Sequence, residues 1–221
     1  MQVRISVLLQ LLALSLVSST NAAELKSQFE AEKHWNSFGE IKSAGSKLSV
    51  VKQGDSLISN ISSNGKQQRA KFLVSKSKHS DVQMKMEFMI PKGSNSGAYF
   101  MGRYEIQILD SFNQPKAGFG DLGGLSQRWD SQRNPAGFGG VAPLLNVAKA
   151  AGEWQSMEVV FRAPRFAADG NKLHHAKFVK VLINGKLVQE NIQAKGPTRF
   201  SKFNDESLAQ NHSIFKATVD Q

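Results

Sequence analysis

The sequence predicts an all-β protein in which two antiparallel sheets pack face to face as a sandwich, in a single domain. Three observations support this fold class. About nine to eleven short β-rich segments are separated by turn residues, and there is little helical periodicity. Residues 81–90 alternate apolar and polar side chains with a period of two. The pair Asn184-Gly185 separates two further β-rich segments and indicates a tight hairpin.

Residues 1–23 have the three parts of a secretory signal peptide. Arg4 supplies the positive start, residues 5–17 are apolar, and Thr20-Asn21-Ala22-Ala23 offers small residues for cleavage. The apolar stretch is shorter than the ~20 residues that a membrane span requires. We therefore expect residues 24–221 to form the exported mature domain, with the periplasm as first choice of location and the extracellular medium as second.

The chain is basic, with a formal net charge of +10 at pH 7. Basic proteins often bind polyanions or acidic membrane surfaces. Here the lysines and arginines are scattered, without a dense run and without the interleaved aromatic residues of single-strand binders. We expect no nucleic-acid partner and no membrane span, and the sequence leaves the oligomeric state open.

The first third of the domain has the weakest pattern. The expected elements are a helical segment at 24–35, a loop at 39–47, strands at 48–51, 56–61 and 70–74, and a turn at Gln53-Gly54-Asp55.

Residues 81–90 give the clearest strand. Its core-facing side chains are predicted to be Val82, Met84, Met86, Phe88 and Ile90. Three methionines close together could instead indicate a soft-metal site, but the alternation places Met84 and Met86 in the core, where thioethers fill gaps.

A glycine-rich turn and a strand follow at residues 93–110. The alternation puts Tyr104, Ile106 and Ile108 on the core face, and the opposite face receives the polar row Arg103, Glu105 and Gln107. Side chains two residues apart on a strand lie ~7 Å from each other, so this row could span one sugar ring. The alternative is a solvated face on which arginine and glutamate simply pair.

Residues 111–152 form a long glycine-rich loop, and loops of this length in compact domains are usually functional. Arg128, Trp129 and Asp130 together offer a flat apolar face and polar partners, as a sugar platform requires. Trp129 could equally pin the loop to the sandwich.

The last clear strands are predicted at residues 154–162, 176–183 and 186–192, the latter two joined by the Asn184-Gly185 turn.

Four motifs then occur in order: N-S-G-A-Y-F-M-G-R-Y-E-I-Q-I-L-D-S from Asn95, G-D-L-G-G-L-S-Q-R-W-D from Gly120, G-E-W-Q-S-M-E-V-V-F-R-A-P-R-F-A-A-D-G from Gly152, and V-L-I-N-G-K-L-V-Q-E-N from Val181 with a later G-P-T-R. Over about residues 71–199 the chain resembles the 3-keto-disaccharide hydrolase family, long listed as a domain of unknown function. The resemblance implies a concanavalin-like jelly-roll sandwich. It also implies action on glycosides oxidised at C3, by elimination and hydration that amount to net hydrolysis.

Such chemistry needs a base, an acid for the leaving oxygen and a group that holds enolate charge. Under this resemblance Glu105 is the candidate base, Arg103 the enolate stabiliser and Asp110 a further catalytic candidate if the strand ends or bulges before it. The candidate substrate-binding residues are Gln107, Asn95, Arg128 and Trp129.

Two departures from the family pattern favour an alternative. Met101 stands where an arginine is expected, and the tail at residues 200–221 lacks the family's usual closing segment. The alternative is a non-catalytic carbohydrate-binding module or a shortened, inactive family member.

No cofactor is specified by the sequence. A divalent metal could replace Arg103 as electrophile, with Glu105, Asp110 and Asp121 as oxygen ligands. The histidines are expected at the surface, since His174 and His175 are adjacent and the others are isolated.

Overall fold

The computed structural model describes residues 2–6, 29–31, 36–59, 72–206 and 212–218. Within these ranges every regular element is a strand. The strands are β1 Gln2–Ser6, β2 Phe29–Ala31, β3 Asn36–Ala44, β4 Lys47–Ser59, β5 Phe72–Lys78, β6 Val82–Met89, β7 Asn95–Phe100, β8 Tyr104–Leu109, β9 Arg128–Trp129, β10 Gly137–Phe138, β11 Gln155–Arg162, β12 Arg165–Phe166, β13 Lys172–His174, β14 Ala176–Ile183, β15 Lys186–Ala194 and β16 His212–Thr218.

Two antiparallel sheets form the sandwich. The larger has seven strands in the order β15-β14-β11-β6-β1-β4-β3, and the smaller has five in the order β2-β5-β16-β7-β8. The pairs β9–β10 and β12–β13 are two-stranded ribbons outside these sheets. The jelly-roll sandwich is therefore confirmed. The expected number of strands was too low, because several short pairings carry no hydrophobic alternation that a sequence pattern could show.

The core lies between the sheets and is strongly aromatic. Phe161 and Phe178 of the larger sheet pack against Phe100 of the smaller one, with ring centroids 5.1 and 5.2 Å from that of Phe100. Met84 and Met86 belong to the same cluster, as the alternation of β6 predicts. This cluster fixes which face of each strand points inward.

The strands from β6 onward agree well with the sequence. β6 has exposed Gln83, Lys85 and Glu87 between its buried side chains, and β11 alternates in the same way. The β14–β15 hairpin turns at Asn184 and Gly185, which have φ values of 50° and 75°. Positive φ at both central positions is the signature of a type I′ turn, so this prediction is confirmed.

Upstream of residue 60 several predictions are wrong. The helical tendency is contradicted at Phe29–Ala31, which is strand β2; residues 24–28 and 32–35 lie outside the described residues. The expected loop at 39–47 belongs mostly to β3.

The turn expected at Gln53-Gly54-Asp55 lies inside the single strand β4. Phe38 pairs with Leu57 and Glu40 with Lys52, so the extra residues of β4 bulge out of the ladder. A glycine and an aspartate suit a bulge as well as a turn, and local sequence does not separate the two. The hairpin turn lies instead at residues 45–46.

The two chain ends each add a strand. Gln2–Ser6, within the expected leader, pairs with β6 and β4, while residues 7–23 lie outside the described residues. Removal of residues 1–23 stays a prediction. In the tail, His212–Thr218 pairs with both β5 and β7, so the altered C-terminus supplies a strand to the smaller sheet.

We expect Phe161→Ala to lower the free energy of unfolding by ~3–5 kcal/mol, since truncation of a buried phenylalanine leaves a cavity. Phe161 is 1% exposed. Urea unfolding followed by fluorescence measures the loss. The matched control is Phe112→Ala, because Phe112 is 45% exposed and its truncation should change the free energy by less than ~0.5 kcal/mol. Equal losses in the two variants would contradict the assignment of the core.

Candidate functional site

Strand β8 divides its side chains between the core and the opposite face of the five-stranded sheet, here called the far face. Tyr104, Ile106 and Ile108 are fully buried in the core. Their alternation puts the predicted polar row on the far face, and its members Arg103, Glu105 and Gln107 are 0%, 7% and 6% exposed. The row is therefore covered by protein, unlike a solvated strand face.

The Glu105 carboxylate lies directly over Gly97 of the neighbouring strand. A Cβ atom placed on Gly97 would be 2.1 Å from Oε1 of Glu105, so only glycine leaves room for this side chain. The backbone N–H of Glu105 donates to Oγ1 of Thr198 at 3.2 Å, and its carbonyl accepts from the N–H of Ser126 at 3.1 Å. The two hydrogen bonds fix the backbone of Glu105, and the space above Gly97 receives its nearly buried carboxylate.

Tyr99 is the residue directly across from Glu105 in the β7–β8 ladder. Burial raises the pKa of the Tyr99 phenol, and the charge of Glu105 and a hydrogen bond with it raise the pKa further. The hydroxyl also lies 3.2 Å from the carbonyl oxygen of Arg199. Tyr99 therefore keeps its proton and can act as a hydrogen-bond donor beside the carboxylate.

Gln107 and Asn95 come together as the sequence predicts. The Gln107 amide nitrogen donates to Oδ1 of Asn95 at 2.7 Å, and its amide oxygen accepts from Oγ of Ser126 at 3.1 Å. These two bonds orient the amide, and they engage both of its ends with protein groups.

Arg103 is enclosed by the chain after strand β15. Its Nη1 donates to the carbonyl of Met101 at 2.7 Å, and its Nη2 lies 3.2 Å from Oδ1 of Asp205. Nε donates to the carbonyl of Asp205, and the guanidinium stacks 5.0 Å from the ring centre of Phe203. The guanidinium is thus a buried positive charge on the far face, with Phe203 and Asp205 over it.

A second polar chain ties the same tail segment to the fold. The Tyr104 hydroxyl donates to Oε1 of Glu206, and Lys172 of β13 pairs with Oε2 of that glutamate. Burial raises the pKa of the Tyr104 phenol, and its contact with Glu206 raises it further. Residues 203–206 therefore form a strap across the end of the β7–β8 hairpin.

The structure does not bring Asp110 into the row. Strand β8 ends at Leu109, and the Asp110 carboxylate accepts a hydrogen bond from the backbone N–H of Gly93 at 2.9 Å. This bond closes the glycine turn that precedes β7.

Arg128 and Trp129 form the short strand β9, and they lie in different surroundings. The Arg128 guanidinium packs against Gly196, where a Cβ atom would be 2.7 Å from its Cζ, and over Phe138 at 4.8 Å. Trp129 is 47% exposed, and the guanidinium of Arg199 stacks 3.8 Å from a ring centre of its indole.

The segment at residues 196–200 connects this ribbon to Glu105. Arg199 donates its backbone N–H to Gln127 at 2.8 Å, and its neighbour Thr198 bonds Glu105. Phe200, 61% exposed, also contacts the Arg199 guanidinium, with its ring centre 4.5 Å from Cζ. Trp129, Arg199 and Phe200 form an exposed stacked patch, here called the aromatic platform.

No group of three or more His, Cys, Asp or Glu side chains able to hold a metal ion occurs in the described part of the chain. The carboxylates that the sequence suggested as metal ligands, Glu105, Asp110 and Asp121, do not form such a group. Asp110 bonds Gly93, and Asp121 accepts from the N–H of Gly118 at 2.6 Å.

A family model matches residues 17–214, most of the chain, and its family is described as the 3-keto-alpha-glucoside-1,2-lyase-like domain. The chain belongs to this family. Membership confirms the resemblance inferred from the four motifs, and the matched range also includes much of the tail. The family name indicates a glycoside-processing function.

Solved structures resemble the chain in fold. A "putative glycosyl hydrolase" from Parabacteroides distasonis ATCC 8503 matches with a TM-score of 0.52 and 23% identity, over 83% of this chain and 71% of that one. A second structure of the same description and organism gives a TM-score of 0.43 and 16% identity, over 83% and 82%. The first of these supports the sandwich fold. Among curated proteins no sequence matches significantly.

In the described part of this family member, no helix has the length and apolar character needed to cross a membrane.

Sequence reasoning missed Tyr99 and Thr198 as neighbours of Glu105, and Arg199 as a neighbour of Tyr99. By the two-residue alternation of β7, Tyr99 falls on the far face. Thr198 and Arg199 lie within the G-P-T-R motif. A two-residue period applied to β7 as well as β8 could have found Tyr99. The positions of Thr198 and Arg199 depend on a contact across about 90 residues of sequence, which no local pattern specifies.

We expect Gly97→Ala to destabilise the domain by ~1–3 kcal/mol, because the added methyl must displace the Glu105 carboxylate or the backbone. Urea unfolding measures the change. Gly120→Ala is the matched control, since a Cβ atom there meets no heavy atom within 4 Å. A Gly97→Ala variant as stable as the control would show that the close approach of Glu105 is wrong.

Proposed function

We propose that the chain is an exported enzyme that cleaves 3-keto-glycosides by elimination followed by hydration. Membership of the 3-keto-alpha-glucoside-1,2-lyase-like family supports this substrate class. The observation that carries the proposal is the Glu105 carboxylate, which is 7% exposed and held over Gly97 beside the protonated Tyr99. A carboxylate fixed in one position can act as a general base when a substrate proton lies within hydrogen-bond reach.

The chemistry follows from the ketone. A carbonyl at C3 acidifies the hydrogen at C2, so Glu105 removes it as a proton and the C–H electron pair forms an enolate with the C3 oxygen. The enolate then re-forms the carbonyl while a double bond forms between C1 and C2 and the C1–oxygen bond breaks. The leaving oxygen takes up a proton. Water next adds its hydroxyl to C1 and a proton to C2, which completes net hydrolysis.

The enolate needs stabilisation in the transition state. Tyr99 keeps its proton and orients the Glu105 carboxylate through their hydrogen bond, and Arg103 contributes a buried positive charge on the same face. Preorganised donors and charges of this kind act strongly where water is excluded. Because Phe203 and Asp205 cover Arg103, we assign it an electrostatic role.

Sugar binding is assigned to the aromatic platform. Trp129 and Phe200 are exposed, and aromatic faces suit the C–H groups of a sugar ring. Arg199 holds the indole by stacking and contacts Tyr99 through its carbonyl. This places the platform and the base on one connected segment of chain.

The second candidate function is sugar binding without catalysis. It is favoured by the hydrogen bonds that engage both ends of the Gln107 amide with protein groups and by the enclosure of Arg103. A binding module would use the aromatic platform and leave Glu105 as a structural carboxylate.

Incubation of the purified protein with a 3-keto-glucoside should release the aglycone and 3-keto-glucose, detected by chromatography. Glu105→Gln should lower kcat by ~10²–10⁴-fold, because it removes the base and keeps the shape. Glu190→Gln is the control, since Glu190 is exposed on β15. Absence of product from the unaltered protein, with and without added divalent metal, would contradict the enzyme proposal.

Tyr99→Phe tests the hydrogen-bond donor. The ring stays buried and only the hydroxyl is lost, so we expect kcat to fall ~10-fold or more with KM little changed. The raised pKa of Tyr99 predicts that the hydroxyl does not ionise below pH 9. The wild-type and variant pH–rate profiles should therefore have the same shape up to that pH. A fall in rate at alkaline pH that occurs in the wild type and is absent from the variant would oppose this assignment.

Trp129→Ala separates binding from catalysis. Calorimetric titration with 3-keto-glucoside and with plain glucoside should show affinity weaker by ~1 kcal/mol or more, because the ring C–H groups lose the apolar face of the indole. Binding of both sugars without product formation would support the non-catalytic alternative.

A further inference from the structure

The seven-stranded sheet carries a cavity of about 460 Å³ at the end where the β12–β13 ribbon meets β11, β14 and β15. We call it the basic cavity. Its lining residues are Arg162, Ala163, Arg165, Leu173, His174, His175, Lys177 and Gln193. These include two arginines, one lysine and two histidines, and no acidic side chain. None of them belongs to the site around Glu105.

The strand register builds one wall of this cavity. Arg162 of β11 pairs with Lys177 of β14, and Lys177 pairs with Gln193 of β15. All three side chains fall on the outer face of the sheet, because side chains alternate along a strand and their neighbours Phe161, Ala176 and Ala194 are buried. Two cations and an amide therefore stand side by side across three strands.

This arrangement has an electrostatic cost. Like charges directly opposite on neighbouring strands destabilise a sheet. The positive charge of Arg165 is balanced by Asp81, because Nη2 of Arg165 lies 2.7 Å from Oδ2 of Asp81. Within the described ranges, Arg162 and Lys177 have no ion pair. An anion between them would remove the repulsion.

His175 adds a second, independent observation. Its Nδ1 is a buried side-chain nitrogen without a hydrogen-bond partner among the described residues. Buried polar atoms are nearly always bonded, and an exception points to a missing ligand or water. His175 lines the cavity beside Lys177.

We propose that the basic cavity binds an oxyanion of the phosphate type, either free or as the charged group of a sugar. Arg162 and Lys177 supply the charge, Gln193 an amide donor and His175 an imidazole nitrogen. Guanidinium and ammonium groups bind phosphate by charge-assisted hydrogen bonds. The lining contains three permanent cations and no carboxylate, and the nearby Asp81 is paired with Arg165, so the charge of the cavity favours an anion over a cation. This site is separate from the proposed reaction and does not depend on it.

Calorimetric titration of the full chain with inorganic phosphate, at ionic strength held constant with sodium chloride, tests the proposal. We expect saturable binding with a Kd of about 1 mM or tighter. The double variant Arg162→Gln/Lys177→Gln should weaken binding by about tenfold or more, because each lost charge removes a charge-assisted bond. Glucose 6-phosphate and glucose serve as further probes.

The matched control is Lys180→Gln/Lys186→Gln, which removes two charges from exposed positions of β14 and β15 outside the cavity. It should bind phosphate like the unaltered protein. Tighter binding of glucose 6-phosphate than of phosphate identifies the charged group of a sugar as the ligand, and equal binding identifies a free oxyanion. Neither result requires turnover of a 3-keto-glycoside.

The proposal is overturned if phosphate does not bind saturably, or if both double variants lose affinity equally. The thermal midpoint without phosphate checks the fold. Arg162→Gln/Lys177→Gln should not lower it, since the change relieves repulsion. If the double variant does not fold, the single change Lys177→Gln gives the same comparison, with Lys180→Gln as its control.

Discussion

The packing of Tyr104, Ile106 and Ile108 into the aromatic core is the constraint on which the site depends. These side chains are fully buried, so strand β8 cannot slip by one residue without turning all of them out of the core. The same register forces Arg103, Glu105 and Gln107 onto the far face. The hydrophobic interior therefore determines where the polar chemistry lies, although it contributes no reactive group.

Two buried charges on that face are stabilised in different ways. Arg103 is satisfied by the carbonyl of Met101 and by Asp205 in the tail. The Glu105 carboxylate is hydrogen-bonded with Tyr99, while Thr198 and Ser126 bond the Glu105 backbone. An unpaired buried charge would cost several kcal/mol. The strap at residues 203–206 and the segment at 196–200 thus help to keep the row buried, which ties the C-terminal part of the chain to the far face of β8.

The two sheets carry different polar surfaces. The smaller sheet bears Glu105 and Tyr99, to which the segment at residues 196–200 connects the aromatic platform, whereas the outer face of the larger sheet bears the basic cavity. The scattered lysines and arginines that gave the sequence its net charge of +10 include the pair brought together by strand register at Arg162 and Lys177. Positive charges that are spread along the sequence are brought close together only by the pairing of strands in the sheet.

The sequence by itself determined the sandwich class, the strands with strict alternation such as β6, β8 and β11, the Asn184-Gly185 hairpin and the sharing of one face by Arg103, Glu105 and Gln107. These follow from a period of two and from turn chemistry, which are local. Only the tertiary structure decided that β4 bulges at Gly54 rather than turning, that Asp110 bonds Gly93 outside the row, and that Thr198 bonds Glu105 while Asp205 bonds Arg103. The physical reason is that those contacts join residues far apart in the chain, whose meeting depends on strand order and register and leaves no local pattern.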